Sequence, residues 1–395
     1  MVTTVATLTG SQATLSDDDL ATLRLALRGQ VLTPDDVDYD TVRPAYNAMH
    51  PGSPALVVLA SGTADVIDAV NFAREHDLLV AVRGGGHSVA GLSSVDGGML
   101  IDLALMRGVD VDPEERIARV QGGALWGDVD RETQAFGLVA PGGVVSDTGV
   151  AGLTLGGGEG WVRRKYGLSC DNLLSAQLVC ADGKLRTASA DTNPDLYWAI
   201  RGGGGNFGIA TSLTFQCHPV GPTVAFTGVF YPVADAAEVW RGFRDWSYAA
   251  PDEVSALCAC TTLPAHEALP PEIHDTPFVV VGGVYSGDVD DGMKVMQPLR
   301  SLATPLVDIS QPLPFGAVQS AFDPFFVRGT LRSYWKSTYL HDLSDEVIDL
   351  LARKAAERPS KRTFAPITFL MGGAINRVDP GATAYSERSA DWMLS

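Results

Sequence analysis

The stretch LVAVRGGGHS, residues 79–88, runs an apolar segment straight into Arg83, Gly84, Gly85, Gly86, His87 and Ser88. Residues 79–82 read as a strand. The glycines after them read as a turn whose backbone can take positive φ and bring N–H groups close to a ligand. Upstream, the apolar run Leu56–Leu59 reads as another strand, and Thr63 as the cap of a helix reaching Glu75. The segment therefore closes a βαβ-like unit. Ser16 is expected to cap an earlier helix carrying Leu20, Leu23 and Leu27 on one face, ended near Gly29.

Downstream, strands are expected at residues 99–103, Ile117–Gln121 and Ile209–Gln216, with a helix over residues 124–136. Residues 174–180 and 184–188 flank Asp182-Gly183, a hairpin signal. Asn193 and Pro194 open a short helix to Ile200. Glycine accounts for 42 of the 395 residues, and its clusters (84–86, 122–123, 142–143, 156–158 and 202–205) all fall in the first 210 or so, each beside an expected strand. A single cluster is as well explained by a tight turn. The set points to one extended phosphate-bearing ligand held by backbone rather than by lysines.

After about residue 218 glycine thins, prolines multiply (Pro251, Pro264, Pro270, Pro271), and apolar strands such as 278–281 alternate with helices such as 346–356. The expected organisation is an N-terminal helical segment over 1–47, a ligand-binding domain over 48–218, a second domain over 219–375 and the start of a return segment over 376–395. With 46% hydrophobic and 19% charged residues the chain is globular. Its net charge of −18 is spread over both halves, which argues against nucleic acid or an anionic membrane as partner. No apolar run approaches a membrane span. The N-terminus lacks a basic, then apolar, leader. Five scattered cysteines, an odd count, suggest reduced thiols and a cytoplasmic location.

Several motifs fail on context. There is no Walker A pattern. A GxGxxG at Gly203, Gly205 and Gly208 follows a helix and precedes a strand, the reverse of a Rossmann turn. His266-Glu267 lacks the second histidine of a zinc-protease helix, and Cys258 and Cys260 have no partner pair at metal spacing. Gly86-His87-Ser88-Val89-Ala90 nearly matches a nucleophile elbow, the basis of a remote serine-hydrolase alternative on Ser88. The fifth position is alanine, however, and GLSSVDGG after it is no helix former.

Strand, RGGGHS at 83–88, then GVAGLTLGGGEGW at 149–161, closely resembles the flavin-binding domain of FAD-linked oxidases of the vanillyl-alcohol oxidase superfamily. The branch it is most similar to is that of the berberine-bridge-enzyme-like and 6-hydroxynicotine oxidase proteins of bacteria. RKYGL at 164–168, Asp171-Asn172, DLYWAIRG at 195–202 and NFGI at 206–209 continue the match in order. The resemblance implies an α+β fold: a two-part PCMH-type FAD-binding domain and a substrate domain with an antiparallel sheet covered by helices. It implies FAD bonded through the flavin 8α carbon to His87, by attack of a neutral imidazole on an electrophilic quinone-methide tautomer. Where some members carry a second, cysteinyl bond, this chain has Val145, so a single attachment is expected.

By the same resemblance Arg83, Gly84, Gly85, Gly86, His87, Ser88, Gly91, Val145, Thr148, Gly149, Gly152, Leu155, Gly156, Gly157, Gly160, Trp161, Gly208 and Ile209 lie at the cofactor, and no metal is expected. The implied reaction moves hydride from an alcohol or amine carbon of a small-molecule substrate to flavin N5, with dioxygen as acceptor and a base over the flavin. Tyr385 resembles a substrate-pocket position, and Lys336 a position on the sheet that faces the flavin. Arg332, Tyr334 and Lys336 alternate, so that on a strand they share a face; a solvated strand face is the other reading. The sequence ends at Trp392-Met393-Leu394-Ser395, before the return to the flavin domain that the family shows. A shortened chain is therefore expected, with catalysis more affected than flavin binding; a flavin-binding protein of this fold without oxidase turnover is the alternative.

Overall fold

Apolar runs with no polar alternation need cover on both faces, and the first sheet gives it to them. The computed structural model describes residues 2–265, 267, 270–325, 327–357 and 366–395. In it the strands run Gln30–Leu32, Leu56–Leu59, Met99–Asp102, Val80–Arg83, the last three parallel and the first an antiparallel edge. Leu56–Leu59 and Met99–Asp102 are buried at every position. Helix Thr63–Glu75 lies against the sheet through Val66, Ala69, Phe72 and Ala73. Its cap is Gly62, and Thr63 is its first residue. No side chain caps it, so the capping role expected of Thr63 is not filled; Asp65 in its first turn instead accepts from the N–H groups of Ser61, Arg28 and Gly29 at 2.8–3.0 Å. Ser16 caps helix Asp17–Ala26 in a reciprocal box with Asp19.

The second sheet is wholly antiparallel, in the order Leu185–Ser189, Leu173–Val179, Ile209–Gln216, Ile117–Gln121, Val109–Asp112. Its hairpin turns at Asp182-Gly183, with Gly183 at φ +76° and Asp182 accepting from the Lys184 N–H at 3.1 Å. Residues 1–47 are more than helical. They form a hairpin, Thr3–Ala6 with Gln12–Leu15, and supply the edge strand Gln30–Leu32 of the first sheet.

The third sheet is antiparallel and larger. Thr223–Pro232, Phe278–Tyr285, Val254–Thr261, Ile367–Leu370, Trp392–Leu394 and Thr338–Leu340 follow one another across it. All eight residues of Val254–Thr261 are buried. Cys258 and Cys260 face a core built with helices Ala236–Ser247 and Asp345–Ala356, while Leu257 and Ala259 face Trp161, Val162 and Cys170 of the preceding domain. The expected strand at 278–281 extends to Tyr285 because Gly282 and Gly283 keep their pairing with Leu257 and Ala256. The fold is α+β. No helix among the described residues is long and apolar enough to cross a membrane.

Two arginines bind the third sheet to the rest. Arg163, 1% exposed, donates to the carbonyls of Gly160, Ala256 and Leu370 at 2.7–3.0 Å. Arg164 donates to those of Met371, Pro251, Val254 and Ala250. Each cation replaces its hydration with carbonyl dipoles from strands distant in sequence. Arg163→Met leaves those carbonyls unpaired in a dry interface and is expected to cost about 3 kcal/mol. Arg119→Met, at an exposed pair with Asp110, is expected to stay within about 0.5 kcal/mol. Thermal melts of the two variants check this.

Candidate functional site

The turn after Val80–Arg83 is shaped by what each group in it has already spent. Arg83, 3% exposed, uses all its guanidinium donors inside the protein: on Asp102 and on the carbonyls of Val42, Arg43 and Pro44. Expected at the cofactor, its side chain instead pins the loop from behind. The Gly85 carbonyl accepts from Arg328 at 2.5 Å and the Gly86 carbonyl from the Tyr46 N–H at 3.1 Å. The backbone N–H groups of Gly84 to Ser88 donate to no acceptor among the described residues. Five consecutive N–H groups are thus left free to serve a ligand such as a phosphate.

This loop packs directly on the one that opens helix Val150–Leu155. A Cβ on Gly85 would stand 2.2 Å from the nitrogen of Gly149, and one on Gly149 2.3 Å from that of Gly85. Only two glycines allow that approach. Beside the contact, a cavity of about 470 Å³ runs between the first two sheets. It is lined by Val80, Val82, Gly84, Gly122, Gly152, Leu155, Val179, Gly205, Gly208 and Ile209, so three of the glycine clusters (84–86, 122–123 and 202–205) converge on it. Gly142 and Gly143 do not; they pack against Trp126, and Gly142 also against Gly160.

His87 leaves the loop with its ring stacked on Tyr46, centroids 4.3 Å apart and planes 14° apart. Its Nε2 lies 2.8 Å from Oδ1 of Asp147. Ser88 Oγ accepts from the Leu92 N–H at 3.1 Å, and no helix follows it, so Ser88 closes a turn rather than serving as a nucleophile. Gly91, at φ +80°, packs against the ring of His50. Val145 and Thr148 bracket Asp147 in a turn, Val145 accepting from the Thr148 N–H at 3.3 Å.

Tyr385 forms a second wall. Its ring presses on Gly157, where a Cβ would come within 2.7 Å of it, and its backbone on Gly202. Its hydroxyl meets that of Tyr339 at 2.5 Å, and the Arg388 guanidinium lies 4.9 Å from its ring centre. Burial, and then the bond to Tyr339, push the Tyr385 phenol far above its usual range; burial raises Tyr339 as well. Glu159, which sequence reasoning passed over inside the glycine run, adds to both shifts. Burial raises its own carboxyl, Arg163 opposing, and its Oε2 is enclosed without a hydrogen-bond partner. Trp161, 2% exposed, has an equally unpartnered Nε1. Gly156 continues this loop, accepted by the Leu153 carbonyl at 3.1 Å.

Tyr334 and Lys336 stand apart from this wall. The strand expected over 331–340 is confined to Thr338–Leu340, because Asn47 holds the preceding segment through both the N–H and the carbonyl of Ser333. Arg332, Tyr334 and Lys336 do share a face, but it is exposed: Tyr334 is 75% accessible, with Lys336 5.8 Å from its ring centre. Cys258 is a core thiol pushed up by burial, as is Cys217, up to about 12. His218, stacked on Tyr166 and 2.7 Å from Asn172 Oδ1, is a buried structural histidine whose pKa falls to about 4. His266 lies outside the described residues.

A FAD binding domain family matches residues 54–189. An uncharacterized FAD-linked oxidoreductase of Bacillus subtilis is 30% identical over 370 residues, 92% of this chain and 79% of that one. The crystal structure of 6-hydroxy-D-nicotine oxidase from Arthrobacter nicotinovorans superposes with a TM-score of 0.80 at 26% identity, covering 94% of this chain and 80% of it. BBE-like 1 of Physcomitrella patens superposes at 0.82 with 27% identity, covering 95% and 82%. The unspent N–H groups, the glycine cradle and the adjoining cavity fit FAD. Gly85→Ala, which forces the two loops apart, is expected to lower bound flavin at least about tenfold. Gly316→Ala, whose Cβ meets nothing within 4 Å, leaves it unchanged. The ratio of visible flavin absorbance to protein absorbance reads both.

Proposed function

The chain belongs to the FAD-linked oxidoreductases, in the branch of 6-hydroxynicotine oxidase and the berberine-bridge-enzyme-like proteins, and from that premise we propose that it oxidises a small-molecule alcohol or amine, with dioxygen as acceptor. Bound FAD supplies a two-electron acceptor for the hydride of a C–H bond. The observation that carries the reading is the run of unspent N–H groups ending in His87, itself enclosed between Tyr46 and Asp147. In this proposal the amides of Gly84 to Ser88 and of the loop from Gly152 hold the pyrophosphate, Gly208 and Ile209 line the nucleotide end, and His87 is the single covalent attachment. A cytoplasmic location belongs to the same proposal, supported by five cysteines that form no disulfide.

The chain's own contribution to proton transfer falls to the wall of Tyr385, Tyr339 and Glu159. A phenol raised as far as that of Tyr385 is protonated across the physiological range, so Tyr385 acts as a hydrogen-bond partner that orients the substrate O–H or N–H. Glu159 is the group able to take the proton. Burial raises its carboxyl above the ordinary range while the Arg163 charge opposes that shift, and a raised carboxyl is the stronger base. Tyr334 and Lys336, on their exposed face, have no part in this step.

Acid precipitation tests the attachment: wild-type flavin stays with the protein pellet as one FAD mass, and His87→Ala releases it. Anaerobic mixing with panels of amines and alcohols tests the reaction through bleaching of the flavin. The base must be deprotonated, so the reduction rate is expected to rise with pH through an elevated carboxyl pKa. Glu159→Gln removes that limb and slows reduction on the order of 10²-fold with flavin content unchanged.

A further inference from the structure

An imidazole is a nucleophile through whichever nitrogen lacks the proton, so a histidine that bonds an electrophile needs its other nitrogen held as N–H. The partner that accepts from that N–H fixes the tautomer and takes up the charge that develops as the bond forms. His87 has one candidate on each side. Tyr46 covers a ring face and limits its rotation, but offers no acceptor in the ring plane. Asp147 places Oδ1 2.8 Å from Nε2, and both atoms are shielded from solvent. Neither atom makes a hydrogen bond among the described residues, not even to the other, because the 2.8 Å approach between them is bent rather than straight.

The placement follows from the backbone. Asp147 lies two residues before Gly149, whose nitrogen is 2.2 Å from where a Cβ on Gly85 would stand, and His87 lies two residues after Gly85. The glycine–glycine contact thus fixes the carboxylate relative to the ring. Arg328 joins the same junction. It donates to the Gly85 carbonyl, stands against Gly86 and lies near enough to Asp147 for the carboxylate to favour its charge.

We propose that Asp147 is a positioning residue for flavin attachment: it holds Nε2 of His87 as N–H and leaves the Nδ1 lone pair for the 8α carbon of FAD. This role rests on the covalent reading above. In the step, the Nδ1–C bond forms as a C–H bond at the 8α carbon breaks, and that bond's electron pair enters the flavin ring system. The C–H proton and the imidazole proton, drawn off by Asp147, both end on the ring, now reduced by two electrons. Dioxygen then removes two electrons and two protons as hydrogen peroxide.

The experiment follows acid-stable flavin against time after FAD is added to the full chain, in wild type, Asp147→Asn, Asp147→Glu and His87→Ala. Total flavin bound and melting temperature are measured alongside. Asp147→Asn is expected to bind FAD but to form acid-stable flavin at least about tenfold more slowly. Asp147→Glu recovers much of the rate, and His87→Ala forms none. Asp147→Ser stands in if the asparagine variant does not fold. Attachment at the wild-type rate in Asp147→Asn overturns the role, as does loss of all FAD binding in every Asp147 variant, which would make the carboxylate a structural prop. Wild-type protein that releases all its flavin into acid overturns the covalent reading itself, a result distinct from both.

Discussion

Two peptide backbones touch at Gly85 and Gly149 with no room for a Cβ on either, and much of the site depends on that contact. It brings a turn at the end of the first sheet against a loop that belongs to the second. It also sets the unspent N–H groups of residues 84–88 beside the cavity between the sheets, and His87 beside Asp147. A side chain at either position would separate all of these at once. The glycines here are therefore a matter of distance more than of flexibility.

A chain of net charge −18 has to solve a local problem to hold a diphosphate. Arg83, the cation nearest in sequence, is consumed by Asp102 and three carbonyls. What remains is the peptide dipole. Unspent backbone N–H groups act as partial positive charges that need no counterion and are in place before a ligand arrives. The same economy recurs at the domain junction, where Arg163 and Arg164 hydrogen-bond main-chain carbonyls, Asp252 adding an ion pair to Arg164 at 3.8 Å. In both places the main chain does the electrostatic work.

Local signals in the sequence carried the first half of the fold well. Leu56–Leu59, Ile117–Gln121 and Ile209–Gln216 stand where their apolar runs end, and the Asp182-Gly183 hairpin turns where its residues demand. The failures have a common cause in distant partners. Thr63 is the first helical residue and Gly62 the cap, while Asp65 in the same turn is taken up by the N–H groups of Arg28 and Gly29, far away in sequence. The segment carrying Tyr334 and Lys336 lost its strand because Asn47, far away in sequence, bonds Ser333 on both sides. Period-two alternation placed those residues on one face and left two readings of it, toward the flavin or solvated; the solvated one is what the structure shows. At the site, the glycine loops were legible because each is contiguous. Asp147, Tyr46, Tyr339 and Arg328 were not, since their only signal is proximity in three dimensions.

Glu159 is the instructive case, because it lay in plain view within Gly156–Trp161 and still drew no attention. A carboxylate between glycines reads as a polar residue in a surface turn. Three features make it otherwise. Tyr385 closes over Gly157, Gly160 packs on the Gly142 carbonyl, and Trp161 is buried in the interface with the third sheet. Once the residues on either side are fixed in this way, the side chain between them has nowhere to go but inward. Arg163, four residues on, cannot neutralise it fully, because its donors already serve Gly160, Ala256 and Leu370. The result is an enclosed carboxylate without a hydrogen-bond partner for its Oε2, raised by burial and set against two phenols that it helps to keep protonated.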